Sequence, residues 1–200
     1  TSSVSAVKAG ETATLTFTGP NDQTYTDQGG SEPDGDITIN KTSGTMTLAS
    51  NADWNAASQD VIITSGILSM GATYNITTTA LTISAGGTLL NSGTGDLTLA
   101  GNVANAGLIR MQKGSCTNTD SVLIRSSVAG TQRSWSGAGT FTLTDVDVKD
   151  MAGSASITVY SSTNTGNNGA NWTFNSGCVA LPAAVNFPAS KFTFPSGQVN

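Results

Sequence analysis

Apolar residues along this chain come in short runs that alternate with polar ones at a period of two. Seven runs read apolar-x-apolar: Ile37-Thr38-Ile39, Val61-Ile62-Ile63, Leu81-Thr82-Ile83, Leu97-Thr98-Leu99, Val122-Leu123-Ile124, Phe141-Thr142-Leu143 and Ile157-Thr158-Val159. That period puts the flanking side chains on one face of a strand and the middle one on the other. The runs begin 24, 20, 16, 25, 19 and 16 residues apart. After four of them a glycine precedes a second short apolar run: Gly44 before Met46 and Leu48, Gly66 before Leu68 and Met70, Gly87 before Leu89, Gly107 before Ile109 and Met111.

Strand, turn, strand, turn is the rhythm of one solenoid coil. No single coil buries its own apolar face, so stacking of neighbours supplies the stability. Thr38, Thr82, Thr98, Thr142 and Thr158 are expected to form one outward ladder, interrupted by Ile62 and Leu123. The predicted fold is all-β, a parallel β-helix (β-solenoid) of about six to seven coils. It occupies residues 31–174, between an N-terminal arm, 1–30, and an extended C-terminal arm, 175–200. A two-sheet sandwich also has short strands, but its strands follow one another in hairpins roughly every 8–12 residues. Here the hairpin dipeptide Asn-Gly occurs once, at Asn168-Gly169.

Composition sharpens this picture mainly by exclusion. Charged residues are 10% of the chain, which carries 31 Thr, 24 Ser and 23 Gly at a net charge of −5. With no Lys/Arg cluster, nucleic acid and anionic membranes are poor partners. No apolar run approaches the roughly 18 residues that a membrane span needs. There is no histidine, so Ser-His-Asp or Cys-His catalysis and His-ligated metal are excluded. Cys116 and Cys178 are too far apart in sequence for a CxxC site. They are expected to form one structural disulfide in an oxidising compartment, the alternative being two buried thiols. Thr1 opens no signal-peptide pattern, so any export signal is expected to have been removed or never to have belonged to the chain.

The arms differ from the repeat. Thr12 to Thr18 alternates with Ala13, Leu15 and Phe17 on one side. The tail alternates through Val179, Leu181, Val185 and Phe187, then Phe192 and Phe194, and its Pro182, Pro188 and Pro195 suit an extended edge segment. Half of the six phenylalanines lie in that tail, an odd place for apolar mass unless it packs on something. Each arm either caps its own rod or adds a strand to a neighbour. A contact of the second kind that does not close into a ring makes a filament. Leu15, Phe17, Phe187, Phe192 and Phe194 are the residues expected to carry that joint.

Other candidates are weaker. Glu32, Asp34 and Asp36 sit in EPDGD, a turn with some likeness to a calcium loop but without the six to eight oxygens about a hard cation. Asp36, Asp60 and Asp96 each precede an apolar run and are expected either to stack or to serve as turn residues. Asp145 and Asp147, at i and i+2 before Asp150, are expected to share a strand face at a separation open to sugar-hydrolysing pairs. The threonine ladder raises ice binding, although the column beside it (Asn40, Thr64, Ser84, Ala100, Arg125, Thr144, Tyr160) is irregular. Asn40, Asn75 and Asn171 fit N-x-[ST]. No cofactor or metal site is expected.

Two stretches carry a resemblance. Pro33 to Leu48, PDGDITINKTSGTMTL, resembles the opening coil of bacterial secreted right-handed parallel β-helix surface proteins, the adhesin and filamentous-haemagglutinin-like group. Phe141 to Phe174 resembles their closing coils, where a Gly-Asn-Asn run leads into Trp-x-Phe. The resemblance implies an exported, surface-associated, non-enzymatic protein. The expectation for function is a secreted structural subunit that polymerises with itself head to tail. The alternatives are a monomeric adhesin for glycans and, further off, a polysaccharide-degrading enzyme or an ice-binding protein.

Overall fold

The computed structural model of the chain describes residues 12–29, 33–112 and 122–178. These residues form strands and no helix. Every strand pairing among them is parallel, with twelve strands in one sheet and six in another.

The larger sheet has two ranks. The first pairs Leu15 with Ile37, Ile37 with Val61, Val61 with Leu81 and Leu81 with Val103, then continues through Arg133–Ser136 to Met151–Gly153. The second pairs Tyr25 with Leu48, Met46 with Leu68, Leu68 with Leu89 and Leu89 with Ile109. It continues through Thr140–Thr144 and Ile157–Tyr160 to Trp172–Asn175. The smaller sheet stacks Ala52–Trp54, Ile76–Thr78, Leu97–Leu99, Val122–Ser126, Val146–Lys149 and Thr163–Gly166. From Ile37 to Gly166 the chain visits first rank, second rank and smaller sheet on each lap, and returns one strand further along.

Alternation then builds the core. Inward side chains from successive laps fall in line, as in Met46, Leu68, Leu89 and Ile109, or Ala52, Ile76, Leu97, Ile124 and Val148. All of them are buried in one cluster, where a fully buried Leu or Ile stabilises by about 1.5–3 kcal/mol. The inward parity switches within Ile37–Leu48, from Ile37, Ile39 and Lys41 to Met46 and Leu48. Gly44, at φ +72°, takes the left-handed conformation inside that switch.

The corners have their own chemistry. An Asn or Asp stands immediately before many strands, and its side-chain oxygen accepts an amide N–H from the next lap. Asp36 accepts from Asp60, Asn51 from Asn75, Asn75 from Asp96, Asp96 from Leu123 and Asn102 from Ser134, at 2.8–3.0 Å. Each bond answers a backbone donor at a corner where the ladder is interrupted.

The seven apolar-x-apolar runs do not form a single stack. Ile37–Ile39, Val61–Ile63 and Leu81–Ile83 lie in the first rank, Leu97–Leu99 and Val122–Ile124 in the smaller sheet, Phe141–Leu143 and Ile157–Val159 in the second rank. Each lap holds several short strands, and the most apolar of them changes from lap to lap. The threonine ladder is divided accordingly. Thr38 and Thr82 flank Ile62, Thr98 lies between Thr77 and Arg125, Thr142 beside Arg110 and Thr158 beside Thr173. The strand expected in the N-terminal arm is Leu15–Thr18, and it enters the large sheet rather than standing clear of it.

Candidate functional site

The side chains with chemistry to offer do not converge. Asp145 is a buried corner residue at φ +56°, outside the strand Val146–Lys149 that carries Asp147 outward. The two therefore do not share a strand face, because the chain turns between them. Asp147 instead pairs with the Arg125 guanidinium at 2.7 Å and accepts the Thr165 hydroxyl. Among the described residues no group of three acidic or sulfur ligands could hold a metal; Glu32 of the EPDGD turn lies outside them. Asn75 and Asn171 of the N-x-[ST] matches are engaged in hydrogen bonds between laps, and Asn40 accepts the Ser65 hydroxyl.

Asp36 and Asp60 do stack, and Asp96 belongs to another corner. Burial first, then the Asp36 charge, push the Asp60 carboxyl above its ordinary value. The folded protein thus holds that proton more tightly than the unfolded chain, a stabilisation present at low pH and lost as pH rises through the raised value. Asp60→Asn, which keeps an acceptor oxygen, is expected to raise the melting temperature at neutral pH. The gain should vanish below the ordinary aspartate range, which thermal melts across pH will check. Asp150 is shifted the opposite way, chiefly by the Asn167 amide and then the Gly130 N–H. Its contribution is present above the ordinary value and lost as pH falls through the lowered one.

What the structure does assemble lies at the two ends of the strand stack. All three tryptophans, and every described phenylalanine, gather there, while the fully buried middle of the core carries no aromatic ring and only half-buried Tyr74 packs against it. At one end Phe17 meets Tyr25 at 6.4 Å and Tyr25 meets Trp54 at 5.2 Å, both edge to face. At the other, Trp135 contacts Phe141 and Trp172, and Trp172 stacks on Phe174. The indole N–H of Trp54 and of Trp172 is buried with no hydrogen-bond partner among the described residues.

Among the described residues, Leu15–Thr18, Gln23–Tyr25 and Ala52–Trp54 form a strand ladder on one side only at the first end, as does Trp172–Asn175 at the last. The first lap is fastened by the buried Lys41, whose ammonium donates to the Asn21 carbonyl at 2.7 Å and to Gln23 Oε1 at 2.8 Å. Charge is uneven along the stack. Asp22, Asp27, Asp34, Asp36, Asp53 and Asp60 crowd the first end, with Lys41 as its one described cation. Arg125, Arg133 and Lys149 stand toward the last, beside Asp145, Asp147 and Asp150, so the described charges there balance. The outward strand positions of the first rank, Thr16, Thr38, Ile62, Thr82 and Ala104, carry no charge.

Of the expected joint residues, Leu15 and Phe17 sit at the first end, half-buried against the core. Phe187, Phe192 and Phe194 lie outside the described residues, as does Cys116, while Cys178 is the last described residue. Sequence reasoning missed Tyr25, Trp54 and Trp135 and took Trp172 only as part of the closing Trp-x-Phe; the available signal was isolated aromatic residues at both extremes of the repeat. The chain matches no family model, no curated protein and no solved structure.

Proposed function

We propose that this chain is an extracellular β-solenoid of about six to seven coils, a structural subunit that joins end to end into a surface filament or matrix fibre. The observation that carries this reading is the uniformly parallel stack, whose first strands ladder on one side only among the described residues. In such a stack one end offers the opposite sides of its strands from the other. A second copy can therefore continue the sheets without reversing direction. The acidic first end adds a bias, since two such ends repel each other while a first-to-last contact meets an end whose described charges balance. The resemblance of Pro33–Leu48 and Phe141–Phe174 to secreted β-helix surface proteins points the same way.

The reading assigns no catalysis and no cofactor. It includes a Cys116–Cys178 bridge, worth about 4 kcal/mol through the constrained unfolded chain; peptide mapping without reductant should find the two linked. Deleting residues 179–200 is expected to abolish assembly and leave a folded rod, as electron microscopy and circular dichroism will show. Filaments that persist in the truncated chain would overturn the reading. A second reading, a monomeric adhesin for glycans, draws on the uncharged, hydroxyl-rich outward positions of the first rank. It predicts a monodisperse protein that binds a glycan panel.

A further inference from the structure

We infer that Asn168-Gly169 is a deamidation site that the fold holds shut: it reacts when its corner opens, and the product then keeps that corner open. The inference does not depend on the end-joined reading. Asn-Gly occurs once in the chain. It does not turn a hairpin here. It lies in the corner between Thr163–Gly166 and Trp172–Asn175, which belong to different sheets.

An asparagine followed by glycine is open to this chemistry because glycine sets no side chain beside its amide nitrogen and leaves the backbone free to turn. The Gly169 nitrogen bonds to the Asn168 Cγ, the Cγ–Nδ2 bond breaks, and the amide proton leaves with the amino group as ammonia. Water then opens the resulting succinimide at either carbonyl, leaving aspartate or isoaspartate at 168.

In the folded chain neither reacting group is free. Asn168 Oδ1 accepts the Met151 N–H at 2.9 Å, and Nδ2 donates to the Val148 carbonyl and to Asn164 Oδ1, both at 2.8 Å. The Gly169 N–H donates to the Met151 carbonyl at 2.7 Å. Carboxamide and attacking nitrogen are thus tied to the two backbone groups of one residue in the preceding lap. Attack requires the carboxamide to turn its carbon toward that nitrogen and the Gly169 N–H to give up its proton, and these bonds oppose both. Gly169 is packed as well, since a Cβ there would lie 3.0 Å from the Ala152 Cβ.

The product does not fit this corner. Aspartate at 168 still accepts from Met151 but loses both N–H donors, and it turns an oxygen toward the Val148 carbonyl and Asn164 Oδ1. Isoaspartate also lengthens the backbone by one carbon before Gly169. That displaces the Gly169 N–H from Met151 and the Gly169 carbonyl from the Trp172 N–H, which it accepts at 3.1 Å. The corner therefore loses its hold on Met151–Gly153 and on Trp172–Asn175 together.

The test incubates the full-length chain in mildly alkaline buffer, folded and in urea, and follows each asparagine by peptide mass spectrometry. In urea Asn168 is expected to react before the others. In the folded chain its rate should fall at least about tenfold, because local opening must precede attack. Equal rates in the two states, or an asparagine elsewhere that reacts faster in urea, overturn the inference. A second measurement reads the consequence, with Asn168→Asp standing in for the product. Amide exchange is expected to quicken at Met151–Gly153 and Trp172–Asn175 and to stay as it was at Ile76–Thr78. Unchanged exchange at both closing strands overturns the claim that the product keeps the corner open. Should the variant not fold, the deamidated fraction of the unaltered chain, separated by its extra negative charge, is measured in its place.

Discussion

Replacing Trp135 by alanine is expected to destabilise the protein by about 3–5 kcal/mol, in the range for a buried aromatic truncated to a methyl. The indole is fully buried. It touches Trp172 at 5.2 Å and Phe141 at 6.0 Å, and its N–H points to the Met151 sulfur. It therefore ties Arg133–Ser136 to the two closing laps. Aromatic pairs of this geometry contribute about 0.5–1.5 kcal/mol beyond the area they bury, so the loss should propagate to Trp172. Chemical denaturation will measure the stability. Trp172 fluorescence should become more solvent-exposed in the variant even before global unfolding. A change below about 1 kcal/mol would mean that the aromatic cluster does not close this end of the core.

Gly95→Ala should be at least as damaging, although it adds a single methyl. A Cβ at that position would lie 1.9 Å from the Tyr74 carbonyl oxygen of the preceding lap, which is backbone and has no rotamer to change. The same corner is held by Asn91, whose amide donates to the Gly95 carbonyl and whose oxygen accepts from Gly93 N–H. Laps at strand spacing leave no room to relieve the clash locally. The expected outcome is failure to fold, or a loss above about 4 kcal/mol. Gly177→Ala is the matched control, because nothing among the described residues lies within 4 Å of its Cβ position and its φ is not positive. It should melt with the unaltered protein.

Much of the fold was legible in the sequence. Period-two alternation located the long strands, and the glycines after four of the runs marked a switch within the lap, as at Gly44. Spacing near 20 residues, with Asn-Gly occurring only at Asn168-Gly169, pointed to parallel stacking. The division into three strand positions per lap was not legible. Strands such as Ala52–Trp54, Val103–Asn105 and Met151–Gly153 hold three residues each, too few to show a period. Reading the strongest runs as one column consequently merged threonines that lie far apart.

The corners were legible in principle. Asp36-Ile37, Asn51-Ala52, Asp60-Val61, Asn75-Ile76, Asp96-Leu97 and Asn102-Val103 all place an Asx before a buried residue. Turn chemistry alone explains such residues, so their bonds to the next lap emerge only once the laps are stacked. The supposed Asp145/Asp147 pair failed for a backbone reason. Asp145 takes a left-handed conformation at the corner, and the alternation argument holds only within a strand. Trp54 and Trp135 sit in polar local sequence, and only the stack brings them to the two ends.

X-ray diffraction from aligned filaments of the full-length chain bears most directly on the proposal that copies join end to end. Strands stacked across the filament should give a reflection at about 4.8 Å along the fibre axis. Single rods at every concentration, or filaments whose strand spacing lies across the axis, would contradict it.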